Sequence, residues 1–203
     1  DDGRDALFVG YTLLDHDGKV LWSYDWSDHT DEIVIGAFDP SRNDLQIATV
    51  SGDEGFNIIS QDGEVLHREY LGHAQRISVA KYRADLEGLQ FYIKTYWGNP
   101  DILSLHDCRG NKLFEIEPPH KGNLLSPVNW TGDGIELALL NGHPTDGGLI
   151  DGFGRKVVMF PDDGHPDTCA EAIDLDGDSR DEIVLWDRDR IWIYTQDRPF
   201  GGV

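Results

Sequence analysis

Cysteine and methionine are scarce: the 203-residue chain holds two Cys and one Met. Two cysteines cannot build a disulfide scaffold. Cys108 falls at a turn and Cys169 on an inner strand of a different repeat. A disulfide needs Cα atoms within about 7 Å, so both are expected as free thiols. Long apolar runs are missing too: none approaches the roughly 18 residues of a membrane-spanning helix. Positive charge is thin, with 17 Lys and Arg against 38 Asp and Glu, a formal charge of −21. That balance argues against nucleic acid and anionic membranes as partners. It still admits an acidic sugar polymer, met by a few focused cations or a bound metal. The plainer reading is solubility plus some metal ligands. There is no nucleophile elbow, phosphate loop or dinucleotide fingerprint. No signal peptide stands at the front, and Asp1 is not a natural start, which fits a processed chain or a fragment.

Glycine is plentiful at 23, alongside six Trp, seven Tyr and eight Phe, as in a strand-rich chain with many tight turns. Two markers recur in register. His29, His73, His120 and His165 are 44, 47 and 45 residues apart. Gly18, Gly63, Gly110 and Gly154 are 45, 47 and 44 apart. A period of this length points to solenoids, arrays or propeller blades.

Each unit reads as four strands. In the unit from His29, Ile33 to Phe38 is a continuous apolar run. Leu45 to Val50, Phe56 to Ser60 and the more polar Glu64 to Tyr70 follow, the last pair joined by an Asp62-Gly63 turn. The next two units repeat this order, with Pro127 predicting a bulge in its strand. Only Lys81 to Gly88 could hold a short helical turn. Residues 6–26 match strands three and four alone, with Ala6 to Leu14 as one strand, and residues 165–197 match strands one to three. The fold class is all-β: a single β-propeller domain of four-stranded antiparallel blades. Its blades are 29–72, 73–119 and 120–164, with partial blades at 1–28 and 165–203. The chain is then a piece of a larger ring, or its two partial blades complete one blade and close a four-bladed ring. The piece is favoured.

Asp174, Asp176 and Asp178 stand at relative positions 1, 3 and 5, with Gly177 allowing the turn. A backbone carbonyl near Arg180 and the carboxylate of Glu182 would complete an oxygen shell suited to Ca²⁺. Flanking strands and the missing acidic residue at position 12 exclude an EF-hand. Asp39 to Asn43 and Thr131 to Gly134 are degenerate versions, expected without metal. An ion in such a turn is more often a structural staple than a catalytic group.

Strand order puts the histidine ladder on the face opposite the Asp-rich loop. Tyr96, Trp97, Asn99, Asn141 and His143 join it from loops, and Arg76, Lys121 and Asn123 flank it. Aromatic rings stack on sugars, Arg and Lys pair with carboxylates, and imidazole exchanges protons near neutral pH. Together they suit a sugar-acid cleft. The competing reading is that the histidines cap inner strands by bonding the backbone of neighbouring blades. A zinc site is disfavoured, because ladder spacing around a ring separates the imidazoles.

Three stretches carry a family resemblance: Gly72-His73-Ala74-Gln75 with Asp85 to Phe91, the acidic turn Asp174 to Ile183, and Arg190 to Thr195. Over roughly residues 29–197 the sequence resembles the β-propeller of rhamnogalacturonan lyases, polysaccharide lyase family 11. Related calcium turns occur in integrin-type and adhesin-type propellers. The resemblance implies a secreted or periplasmic lyase that cleaves uronate glycans of the rhamnogalacturonan or rhamnose–glucuronate type by β-elimination. His73, His120 and Tyr96 are then the acid–base candidates. Arg76, Trp97, Asn99, Lys121, His143 and His165 are the substrate-binding candidates, and Ca²⁺ is the cofactor. The rival class is a non-catalytic calcium-stabilised propeller that binds glycan or protein. A hydrolase would want paired carboxylates at the cleft, where only Asp167 stands beside the ladder.

Overall fold

The computed structural model describes residues 3–98, 100–120, 122, 124–167 and 169–199. Among these there is no helix, and so none long and apolar enough to cross a membrane. The strands form five consecutive antiparallel meanders. The first holds β1 (Leu7–Val9), β2 (Thr12–Leu14) and β3 (Val20–Ser23). The second holds β4 (Glu32–Gly36), β5 (Gln46–Ser51), β6 (Gly55–Ser60) and β7 (Val65–Glu69). The third holds β8 (Ala74–Ala80), β9 (Gln90–Thr95), β10 (Leu103–His106) and β11 (Lys112–Ile116). The fourth holds β12 (Ser126–Val128), β13 (Leu137–Asn141), β14 (Gly148–Ile150) and β15 (Lys156–Val158). The last holds β16 (Ala170–Ile173), β17 (Glu182–Trp186) and β18 (Ile191–Tyr194).

The sheets stack face on face in chain order, with one apolar layer in each gap. Side chains alternate across a strand, which assigns each residue to a layer. In the second sheet Ile47 and Ile59 face the first, while Ala48, Val50, Phe56 and Ile58 face the third. In the third, Phe91 and Ile93 look back and Tyr92, Leu103 and Leu105 look forward. In the fourth, Ala138 and Leu140 look back and Leu137, Leu139 and Leu149 look forward. The inner strands β5, β6, β9, β10, β13 and β14 are buried along their whole length, on both faces. The fourth strands β7, β11 and β15 are edges and stay largely open to solvent. The first strands β4, β8, β12 and β16 lie successively against one another.

Two expectations need correction. Ala6 to Leu14 is two strands, because the chain folds back at Gly10-Tyr11 with Gly10 at φ 60. The first sheet is therefore three-stranded. Pro127 makes no bulge: β12 pairs with β13 in unbroken register from Ser126 to Val128. A proline is tolerated on a short edge strand, where its missing N–H can face away from the ladder. Register shifts fall instead between the last two strands of each of the first four sheets, at Leu13/Leu14, Ile58/Ile59, Leu105/His106 and Leu149/Ile150, and also at Ala74/Arg76 in β8–β9 and Leu139/Asn141 in β13–β14. Both cysteines are free, Cys108 buried and Cys169 exposed.

Candidate active site

The histidines lie in the links between sheets, next to loops that join second to third strands. They form two groups and one outlier. In the first group, His29 Nδ1 is 2.9 Å from Asp28 Oδ1 and its Nε2 is 3.6 Å from Asp31 Oδ1. His73 Nε2 approaches Asp31 Oδ2 at 3.6 Å. Burial pushes the Asp31 carboxyl up, opposed by the charge of His73 and His29. The His73 ring rests on Gly52, where a Cβ would come 2.6 Å from Nδ1. The Asp53 N–H donates to Asp28 Oδ2 at 2.7 Å and fixes that loop to the preceding link. Tyr96 joins His73 through its backbone N–H, 2.9 Å from His73 O, and packs edge-on against Trp97. Trp97 is exposed.

The second group is His120, His143 and Asp167. His120 Nε2 donates to Asp167 Oδ2 at 2.9 Å. The His120 ring stacks on His143 with centroids 4.0 Å apart and planes at 29°. The N–H groups of Thr145 and Asp146 donate to His143 Nδ1 at 3.3 and 3.1 Å. The Gly142 N–H donates to Asp167 O at 2.9 Å, tying the β13–β14 loop to the β15–β16 link.

His165 is the outlier, and its expected place in a substrate cleft does not fit. Its side chain is only 1% exposed. Nε2 donates to Gly142 O, and Nδ1 meets Asp163 Oδ1 and Tyr194 Oη at 2.8 Å each. It caps the backbone of the preceding sheet. Arg76 is also committed, with Nη1 3.5 Å from Glu32 Oε1. The second oxygen of Glu32 takes the Ile77 N–H at 2.6 Å. Asn99 and Lys121, the other binding candidates, lie outside the described residues, as does Asn123.

On the opposite side of the sheets, the β16–β17 turn brings carboxylate oxygens of Asp174, Asp176 and Glu182 within 4.8 Å of one another. Glu182 is buried and accepts the Leu175 N–H at 2.9 Å, so the turn is pulled over it. Asp178 is held differently from the expected shell: its carboxylate takes the Arg180 guanidinium, with Nε 3.0 Å from Oδ2. The turn is docked on β12 by Asp181, whose N–H donates to Asn129 O at 2.9 Å and whose Oδ2 accepts the Asn129 N–H at 2.7 Å. Three convergent carboxylates form a hard-oxygen donor set and fit Ca²⁺.

No family model matches the chain. Rhamnogalacturonan endolyase YesW of Bacillus subtilis (strain 168) is 26% identical over 210 residues, covering 98% of this chain and 32% of that protein. Its solved structure superposes with a TM-score of 0.67. Rhamnogalacturonan exolyase YesX of the same organism is 24% identical over 98% of this chain and 28% of its own length. The structure of Bacillus licheniformis rhamnogalacturonan lyase PL11 gives a TM-score of 0.70 at 22% identity, covering 96% of this chain and 33% of that one. The chain is a relative of the rhamnogalacturonan lyases. It spans about a third of the length of these lyases. The relation runs over nearly the whole chain, so both histidine groups and the acidic turn lie within the part shared with the lyases.

Sequence reasoning missed Lys94 in this lyase-like frame. Lys94 lies on β9 inside an apolar run and is 1% exposed. Its Nζ donates to Gly122 O and Leu124 O at 2.7 Å each and to Leu140 O at 3.4 Å. Burial pushes the ammonium down to about 8. Removing an ammonium from water costs several kcal/mol, and bonds to a charged donor return about 1.5–3 kcal/mol each. Three carbonyls therefore suffice to keep it inside, where it ties the third sheet to the link that follows His120. A lone lysine in an otherwise apolar strand was the signal available in the sequence.

Proposed function

We propose that this chain is part of a carbohydrate-active lyase that cleaves uronate-containing glycans of the rhamnogalacturonan or rhamnose–glucuronate type by β-elimination. The observation that carries the reading is the match of 98% of the chain to a rhamnogalacturonan endolyase. The paired imidazoles of His120 and His143 beside Asp167 support it, because elimination needs a base near neutral pH. In this reading the five sheets are blades of a propeller, and the successive contact of the first strands suits their place around its axis. The partner is an acidic polysaccharide, and the protein works outside the cytoplasm.

His120 takes the C5 proton of the uronate. The C–H electron pair forms the C4–C5 double bond, and the C4–O bond breaks with its pair going to the leaving oxygen. Tyr96, with His73 at its back, returns a proton to that oxygen, and Trp97 stacks on a sugar ring. Acid–base help of this kind gives about 10²–10⁴-fold. Arg76 reaches a substrate carboxylate by leaving Glu32. That carboxyl is pushed up by burial, against the Ile77 N–H and the Arg76 charge. Asp174, Asp176 and Glu182 would hold Ca²⁺, which supplies a structural cross-link to the last sheet.

The test follows the ultraviolet absorbance of the unsaturated uronide product. The protein is incubated with rhamnogalacturonan and with rhamnose–glucuronate glycans. A rise abolished by His120→Ala in a folded variant supports the lyase. Glycan binding without any absorbance rise overturns it in favour of a non-catalytic binding propeller, the reading that the capping role of His165 favours.

A further inference from the structure

The side chains of His120, His143 and Asp167 form one cluster, His120 bonded to Asp167 and stacked on His143. We infer that Asp167 is a positioning residue for His120: it holds the His120 proton on Nε2 and so leaves the lone pair on Nδ1 to face substrate. That His120 is a base and what its substrate is rest on the lyase reading; the tautomer that Asp167 imposes does not.

A carboxylate accepts and does not donate, so the hydrogen in the 2.9 Å contact belongs to His120 Nε2. In neutral imidazole one nitrogen carries the proton and the other the lone pair. Fixing the proton on Nε2 therefore assigns the basic atom as Nδ1. The tautomer of His143 is fixed by the opposite means. Its Nδ1 receives two backbone N–H groups and must carry a lone pair, which places its own proton on Nε2 and keeps the ring neutral. His120 lies over this neutral ring at 4.0 Å. Among the described residues, the charged groups facing the pair are Asp167 and, behind His143, Asp146, whose Oδ2 is 3.8 Å from His143 Nδ1.

The frame holding this cluster is fixed from two sides of one short loop. Gly142 gives its N–H to Asp167 O and its carbonyl to His165 Nε2. A Cβ at Gly142 would sit 2.7 Å from Pro166 O, so only glycine lets the loop and the link approach this closely. A base oriented by a carboxylate and backed by a rigid loop is the triad arrangement in which orientation, not acidity, is the carboxylate's contribution.

The test combines imidazole nitrogen NMR with steady-state kinetics on the purified protein. In the wild type, His120 should show its proton on Nε2 near neutral pH. Asp167→Asn offers an amide N–H to Nε2 and should move that proton to Nδ1. It should lower kcat by about 10²–10⁴-fold with little change in KM, and Asp167→Glu should restore part of it. A wild-type His120 with its proton on Nδ1 overturns the inference without any variant or substrate. So does an Asp167→Asn protein that leaves both tautomer and kcat unchanged. A wild type that shows the Nε2 proton but cleaves no uronate glycan sinks the lyase reading and leaves the positioning role standing.

Discussion

Asp39 and Asp174 each start a first-to-second-strand turn, and their carboxylates meet different partners. Asp174 turns toward Asp176 and Glu182. Asp39 takes Ser41 Oγ at 2.7 Å and Arg109 Nε at 2.9 Å, so a guanidinium from the next sheet occupies the carboxylate. Burial pushes the Asp39 carboxyl up, but these bonds outweigh it and hold it at about 2. A folded value below the ordinary one, about 3.9, means stability that is present above that value and lost as pH falls toward about 2. Thermal midpoints of wild type and Asp39→Asn should therefore differ near neutral pH and converge between about pH 4 and pH 2. A gap that stays constant across that window would show that Asp39 acts by packing alone. The histidines teach a similar lesson. His120 and His165 occupy equivalent steps of one ladder, yet one shares an open stack and the other is sealed by Gly142, Asp163 and Tyr194. Spacing located both residues, but Gly142 and Tyr194 around His165 and Asp167 beside His120 lie 23 to 47 positions away.

At the scale of elements, the turns between the last two strands of the first four sheets repeat a device only half visible in the sequence. In three of them the residue three before the glycine is aspartate: Asp15, Asp107 and Asp151. Each carboxylate accepts two backbone N–H groups of its own turn. The glycines stood out because they recur. The aromatic side chains they touch did not, although Trp22, His67 and Phe114 keep the same step of 45 and 47 residues. Gly63 lies against Trp22, Gly110 against His67 and Gly154 against Phe114, each ring coming from the last strand of the preceding sheet. These glycines thus serve two ends, a positive φ and a close approach between sheets. Gly18 has only the first, since nothing lies within 4 Å of its would-be Cβ. Gly18→Ala should then cost about 1–2 kcal/mol of unfolding free energy, the ordinary left-handed penalty. Gly110→Ala should cost clearly more, because its Cβ would fall 2.3 Å from His67 Cγ. Urea unfolding of the two variants reads the difference, and equal losses would remove the ring contact from the explanation. The split of Ala6 to Leu14 escaped for a related reason. A two-residue Gly10-Tyr11 turn sits inside an apolar stretch without the Asn-Gly or Asp-Gly pair that marks a tight hairpin.

Across the whole molecule, the stack gains its order from layers shared by neighbouring sheets, and its charge of −21 works against compactness. The period was legible because a link histidine and a turn glycine recur once in each unit. How far the stack curves was not, because curvature depends on packing between units. The last joint, between the fourth and fifth sheets, combines an apolar layer with the Asp181–Asn129 bonds beneath the acidic turn. Two stabilising effects of added ions can be separated there. Any salt screens the general repulsion, with a Debye length of about 10 Å at 0.1 M. Calcium, if held at the turn as proposed, would add a site-specific term of about 2.7 kcal/mol at a concentration 100-fold above its dissociation constant. At matched ionic strength, calcium chloride should therefore raise the thermal midpoint beyond sodium chloride, and a chelator should remove the excess. Glu182→Gln keeps an acceptor for the Leu175 N–H but removes one of the three converging charges. It should abolish the calcium excess while leaving the sodium chloride response intact. Equal midpoints in the two salts would reduce the acidic turn to part of the solvated surface. A calcium excess that survives Glu182→Gln would move the ion to other carboxylates.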